Sequence, residues 1–196
     1  MNTPPLLEGK KLVIIGGTSG IGLSAAQAFL QQGAQVVVVG LHPESVEKAG
    51  QLLGRSAGVL QGDASLPGTA RSAIETCLQT FGGFHGLYHV AGGSGRKWGD
   101  GPLIELTLEG WNKTLEWNLT SLMLSNQAAV NQFLERQQPG SILNLGSVLG
   151  FSPSPQYFTT HAYAAAKSAI IGFSKSVAAA YASKDIRVNV LTPGLV

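Results

Sequence analysis

Leu12, Val13, Ile14 and Ile15 run directly into Gly16-Gly17-Thr18-Ser19-Gly20-Ile21-Gly22. Behind that turn Ile21, Ala25, Ala28, Phe29 and Gln32 recur at helical spacing until Gly33. A short continuous apolar run marks a strand buried on both faces, as in a parallel sheet covered by helices. Glycines at such a junction permit a tight turn, let backbone approach a pyrophosphate and let the helix pack on the strand. Free N–H groups and the helix dipole there attract phosphate. The spacing Gly16-x-x-x-Gly20-x-Gly22 is one residue longer than Gly-x-Gly-x-x-Gly. A plain turn explains the glycines alone, but their place between a buried strand and a helix favours nucleotide binding.

The alternation continues along the chain. Residues 36–40, 58–61, 86–90, 141–146 and 186–191 read as five further strands. Between them lie a helical stretch with Ala73, Ile74, Cys77 and Phe81, and a stripe of Trp111, Leu115, Asn118, Leu119 and Leu122 capped by Thr107. A long helix spans about residues 161–181. Strands alternating with helices imply an α/β fold: a Rossmann-like, doubly wound parallel sheet with helices on both faces. A chain of 196 residues holds one sizeable core and is too short for two, so residues 1–196 are expected to form a single domain.

Several function classes are disfavoured. The net charge is +2, and the basic residues are scattered, with neither a stripe for nucleic acid nor a polybasic membrane segment. No apolar run reaches the ~20 residues of a membrane span. Cys77 is the one cysteine, which permits no internal disulfide and suits a reducing compartment. Residues 1–10 lack the apolar core of a signal peptide. A soluble cytoplasmic protein is expected. His42, His85, His89 and His161 have no Cys or carboxylate partners at ligand spacing, so no metal is expected.

Chemistry-bearing residues collect near strand ends. After the second strand an acid would bind the ribose 2′-hydroxyl of NAD, and an Arg would suit the 2′-phosphate of NADP. Leu41 and His42 stand there instead, and the missing acid favours NADP(H) weakly. Asp63 either accepts from an adenine amino group or caps a helix near Ser65. The loop at residues 94–102 leaves a strand's C-terminal end, so Arg96, Lys97 and Trp98 either touch substrate or are simply solvated. Asn118 is an amide on an apolar stripe, and burial there demands partners. Tyr163 and Lys167 are four apart on a helix and share a face. A cation beside a phenol lowers its pKa from ~10 and equips it to exchange a proton with a carbonyl or alcohol oxygen. Ser147 ends the fifth strand, where its hydroxyl can polarise the same oxygen.

Taken together these residues resemble the short-chain dehydrogenase/reductase family over essentially the whole chain. Gly16, Gly20, Ile21 and Gly22 match its cofactor loop, although Ile15 stands where the family usually has Thr. His89-Val90-Ala91-Gly92 replaces the usual Asn-Asn-Ala-Gly, so strand stabilisation there is expected from other groups. Asn118, Ser147, Tyr163 and Lys167 match the catalytic tetrad in order. The resemblance implies hydride transfer between NAD(P)(H) and a carbonyl or secondary alcohol. Tyr163 would exchange the proton, Lys167 would lower the tyrosine pKa and hold the nicotinamide ribose, Ser147 would steady the substrate oxygen, and Asn118 would support a water linking Lys167 to solvent. Cofactor contacts are implied for Gly16, Thr18, Ser19, Gly20, Ile21, Gly22, Leu41, His42, Asp63, Ala64, Ala91, Gly92, Tyr163, Lys167, Pro193 and Gly194.

The resemblance also implies self-association to a dimer or tetramer through the helices at residues 111–122 and 162–180. It places a substrate-covering segment and a last strand beyond Val196, so the chain is expected to lack its C-terminal part and to expose residues 186–191 as an apolar edge. Two other readings stay open: a nucleotide-sensing or interaction protein without turnover, and an isomerase or dehydratase that retains NAD.

Overall fold

The alternation of apolar runs and helical stretches becomes one parallel six-stranded sheet in a computed structural model that describes residues 5–195. The strands are β1 (Lys11–Ile15), β2 (Gln35–Gly40), β3 (Ala57–Gln61), β4 (Gly86–His89), β5 (Gly140–Leu145) and β6 (Ile186–Leu191), in the order β3-β2-β1-β4-β5-β6. The helices are α1 (Gly20–Gln31), α2 (Pro43–Leu53), α3 (Thr69–Phe81), α4 (Leu108–Leu115), α5 (Ser121–Glu135) and α6 (His161–Tyr181). Such an order is doubly wound. The chain steps outward from β1 to β3, then crosses back to β4, and the crevice beyond the carboxyl ends of β1 and β4 is the switch point where ligands bind. Ile15 pairs with Val39 on one side and His89 on the other, so the loops that follow all three strands emerge together.

Two cores fill the faces because strand side chains alternate. Val13, Ile15, Val37 and Val39 join α3 and α5 residues, with Phe84 and Phe133 stacked at 4.8 Å. Ile14, Val36 and Val38 point the other way, against Ala26 of α1 and Ala49 of α2. Cys77 lies in the first core, and burial pushes its thiol up to about 12, consistent with a small packing residue.

β6 lies at the outer edge of the sheet: Ile186 and Val188 are buried, Arg187 and Asn189 point outward and keep polar groups there, and Leu191 is 47% exposed. On α6, Ala162 and Ala166 are fully buried within the chain. Among the described residues, no helix is long and apolar enough to cross a membrane, and no cluster of His, Cys, Asp and Glu could hold a metal ion.

Candidate active site

The glycine turn makes a cleft where it meets the loop after β4. The N–H groups of Gly16 and Gly17 both donate to Val39 O at 2.9 Å, folding the turn back onto β2. A Cβ on Gly22 would meet Gly16 O at 2.0 Å, so only glycine lets α1 sit this close beneath the turn. Gly16 itself has φ +88°, and a Cβ there would strike Ala91 N at 2.5 Å. The α1 N-cap, Ser19, makes no side-chain cap bond, and the first turn holds no acid, which leaves the positive end of the helix available to an anion.

The resulting cleft, about 370 Å³, is lined by Gly16, Thr18, Ser19, Gly20 and Ile21 of the turn, by Leu41 and His42 after β2, by Asp63 and Ala64 after β3, and by Ala91 and Gly92 after β4. Gly22 supports it from below, as the Cβ clash shows, and Pro193 and Gly194 line the adjoining cleft. A cradle of bare backbone at a helix N-terminus, reaching from β2 to β4, fits a dinucleotide. Asp63 settles partly toward the local reading. Its Oδ1 accepts from Ser65 N at 2.8 Å and Ser65 Oγ at 2.7 Å, closing a turn, while α3 begins later, after Gly68. Ser45, which the sequence did not single out, joins the lining and meets Thr18 Oγ1 at 3.0 Å.

A second cleft of about 690 Å³ shares Ile21 and Leu145 with the first and contains Ser147 and Tyr163. β5 and α6 together build it. Ser147 follows β5 and caps the short turn Val148–Gly150 by accepting from Leu149 N at 3.2 Å. Lys167 is 3% exposed; its Nζ donates to Leu145 O at 2.9 Å and lies 5.5 Å from the centroid of the Tyr163 ring. Burial lowers the Lys167 pKa to about 8. The Tyr163 pKa is raised, because burial outweighs the opposing effect of the neighbouring Ser147 hydroxyl. The shared helix face is as the spacing predicts; the ammonium also engages the Leu145 carbonyl, and the net shift of Tyr163 is upward because desolvation leads.

Asn118 is fully buried in a π-turn, Glu116–Thr120, between α4 and α5. Its Nδ2 donates to Gly93 O and Thr114 O, both at 2.9 Å, and its Oδ1 accepts from Gly93 N at 3.1 Å. The amide therefore clamps the turn after β4, beside the dinucleotide cleft. At the end of β4, where the usual asparagines are absent, the His89 ring itself secures the strand. Its Nδ1 meets Ser125 Oγ at 2.7 Å and its Nε2 meets Ala91 O at 3.1 Å. An imidazole offers one donor and one acceptor on opposite sides, enough to tie strand to helix. Burial, helped by the nearby Lys167 charge, pushes His89 down to about 3, so it stays neutral.

The most consequential residue missed in the sequence is Asp100. It is 2% exposed, and its two carboxylate oxygens accept from Ala162 N at 3.0 Å and Tyr163 N at 2.9 Å. Those are orphan donors of the first turn of α6, whose N-cap, Thr160, provides no side-chain bond. No local pattern betrays this, because the partners are 62 and 63 residues apart. Asp100→Ala is expected to lower stability by about 2 kcal/mol, typical for a lost hydrogen bond to a charged group. It should also depress kcat, and Asp100→Asn should recover part of both. Thermal melts and steady-state kinetics on the pair check this; unchanged melting and turnover in Asp100→Ala would reject the role.

A family model of short chain dehydrogenases matches residues 10–196. The chain is 34% identical over 193 residues to 2-(S)-hydroxypropyl-CoM dehydrogenase 3 of Xanthobacter autotrophicus, an alignment covering 97% of this chain and 72% of the relative. It is 33% identical to 3beta-hydroxysteroid dehydrogenase 2 of Eggerthella lenta, with the same coverage of 97% and 72%. It is also 33% identical to an NADP-dependent (R)-specific alcohol dehydrogenase of Lentilactobacillus kefiri, covering 97% of this chain and 74% of the relative. With a doubly wound sheet beneath that match, the chain belongs to the short chain dehydrogenase family of NAD(P)-dependent oxidoreductases acting on CH–OH groups.

Proposed function

We propose that this chain catalyses hydride transfer between NAD(P)(H) and a carbonyl or secondary alcohol, with Tyr163 exchanging the proton at the substrate oxygen. The observation that carries this reading is that Tyr163 and Ser147 line one cleft, with the buried Lys167 ammonium 5.5 Å from the Tyr163 ring, and that this cleft shares Ile21 and Leu145 with the glycine-turn cleft. The turn from Gly16 to Gly22 would hold the pyrophosphate, Asp63 the adenine amino group, Tyr163 and Lys167 the nicotinamide ribose, and Pro193 and Gly194 would flank the nicotinamide. The bound cofactor supplies or accepts the hydride. Tyr163, protonated at neutral pH because burial raises its pKa, donates to a carbonyl oxygen as it becomes an alcohol. Ser147 holds that oxygen. Lys167, mostly charged below about pH 8, favours the phenolate left behind. Asn118 holds the turn after β4 in place.

A panel of ketones, aldehydes and secondary alcohols, followed by nicotinamide absorbance, tests the reading. Cofactor binding with no turnover would support the sensing alternative. Substrate conversion with no net NAD(P)H change would support an isomerase or dehydratase.

NADPH is expected to bind more tightly than NADH, but by less than about tenfold, or 1.4 kcal/mol. No acid stands at Leu41 or His42 to repel a 2′-phosphate, and Ser45 adds a hydroxyl. Glu44 in the first turn of α2 keeps the preference small. Dissociation constants measured at one salt concentration decide this, and tenfold tighter NADH would reject it. Self-association is expected through the helices at residues 111–122 and 162–180; farther along α5 and α6, Gln127, Val130, Asn131, Phe173 and Val177 line a groove that such contact would adjoin. Sedimentation showing only monomer at micromolar concentration would count against that.

A further inference from the structure

We infer that the substrate carries an anionic group, such as a carboxylate, away from its reacting carbon, and that Arg96 binds it. This rests on the proposed oxidoreductase reading and extends it to a substrate class. Among the described residues, Arg96 is the one charged side chain lining the cleft that contains Ser147 and Tyr163. No Asp or Glu lines that cleft, and among the described residues Arg96 forms no ion pair. The rest of the lining is apolar or hydroxyl-bearing, including Val148, Leu149, Phe158, Ser152 and Ser154. Arg96 is exposed where it borders these walls, and an unpaired cation there creates a positive potential that favours an anion.

The guanidinium is also held in place. Its Nη2 donates to Tyr157 O at 3.2 Å, and its carbon sits 5.9 Å from the centre of the Phe158 ring. Those contacts fasten the turn Arg96–Trp98 to the loop at residues 151–160, across the mouth of the cleft. One N–H is used in this way. A guanidinium has five in a planar fork, so an edge suited to two parallel bonds with a carboxylate remains. The other nearby cation does not compete: Lys97 Nζ lies 4.2 Å from the Trp98 ring centre and 4.9 Å from that of Trp117. Asp100 forms no ion pair with Arg96; its two oxygens accept instead from backbone N–H groups at the start of α6.

The test pairs keto acids with their neutral methyl esters, using acetoacetate, levulinate and longer-chain homologues to vary the distance from carbonyl to carboxylate. In the wild-type chain with NADPH, kcat/KM for the best acid should exceed that for its ester by about tenfold or more, as one charge-assisted contact supplies. Arg96→Gln should bring the acid-to-ester ratio near one, and Arg96→Lys should restore part of it. The same acids, titrated against Trp98 and Trp117 fluorescence with NADPH present, read binding without chemistry, and the acid-over-ester difference should again vanish in Arg96→Gln. Equal handling of acids and esters by the wild type, or a preference that survives Arg96→Gln, overturns the inference. Arg96-dependent acid binding without turnover of any carbonyl upholds the anion site and rejects the oxidoreductase reading.

Discussion

Tyr163→Phe is expected to lower kcat by about 10²- to 10⁴-fold, the usual range for a lost general acid or base, while leaving dinucleotide affinity nearly unchanged. Only a hydroxyl is removed. The ring is half-buried on α6 and its packing is retained, and the glycine turn lies on a separate element. The direction of the pKa shift adds a second expectation. A phenol raised by burial stays protonated at neutral pH, which suits carbonyl reduction. Alcohol oxidation needs the phenolate, so its rate should climb with pH toward and beyond 10, where the reduction rate falls. The kinetic measurements are kcat in both directions across that range, together with titration of NADPH against the variant. Near-normal turnover in purified Tyr163→Phe would end the assignment, and a loss of NADPH binding equal to the loss of rate would make the hydroxyl a binding group instead.

Lys167→Met should abolish most turnover and weaken dinucleotide binding, yet leave the fold as stable as before or more so. The ammonium is buried, and its pKa falls from 10.5 to about 8. At about 1.4 kcal/mol per unit, keeping it charged in the folded chain at neutral pH costs on the order of 3 kcal/mol. Methionine fills nearly the same space without that cost, although Leu145 O loses its donor. The pH dependence follows from linkage. Between about pH 8 and 10.5 the unfolded chain holds the lysine proton while the folded chain has released it, so wild-type stability should rise with pH across that window. Lys167→Met should lack that part of the rise. Denaturant melts of both proteins at several pH values give the difference. A variant destabilised by several kcal/mol at neutral pH would mean that Lys167 serves the fold rather than the chemistry, and one showing the same rise would mean that the lysine proton is not its source.

The course of the fold is legible in the apolar runs, because strands buried on both faces must be continuously apolar, as residues 12–15 and 36–39 are. β6 shows the limit of that rule. It lies at the outer edge of the sheet, and its alternation of Ile186 and Val188 with Arg187 and Asn189 has the period of a half-covered strand. α2 passed without notice: of its eleven residues only Ala49 and Leu53 are buried, too thin a stripe to announce a helix. The π-turn at Glu116–Thr120 also leaves no trace in a helical stripe, since one extra residue in a turn shifts the period less than the pattern can show.

The same division runs through the site. Spacing within one element is enough to set the strand–glycine–helix unit and the common face of Tyr163 and Lys167. The sequence also marks the strand ends that carry Ser147, Asp63 and Gly92. The environment of those groups comes from the packing of distant segments. Whether Lys167 acidifies Tyr163 depends on how much water each has lost and on Leu145 O, which arrives from β5. His89 can secure the end of β4 because α5 brings Ser125 to its ring. Asp100 reaches the first turn of α6, and Arg96 reaches the cleft of Ser147 and Tyr163, through a loop whose composition predicts only irregular chain. Spacing along a chain reports neighbours a turn apart, whereas desolvation, charge pairing and long-range capping depend on which distant segments the sheet brings together.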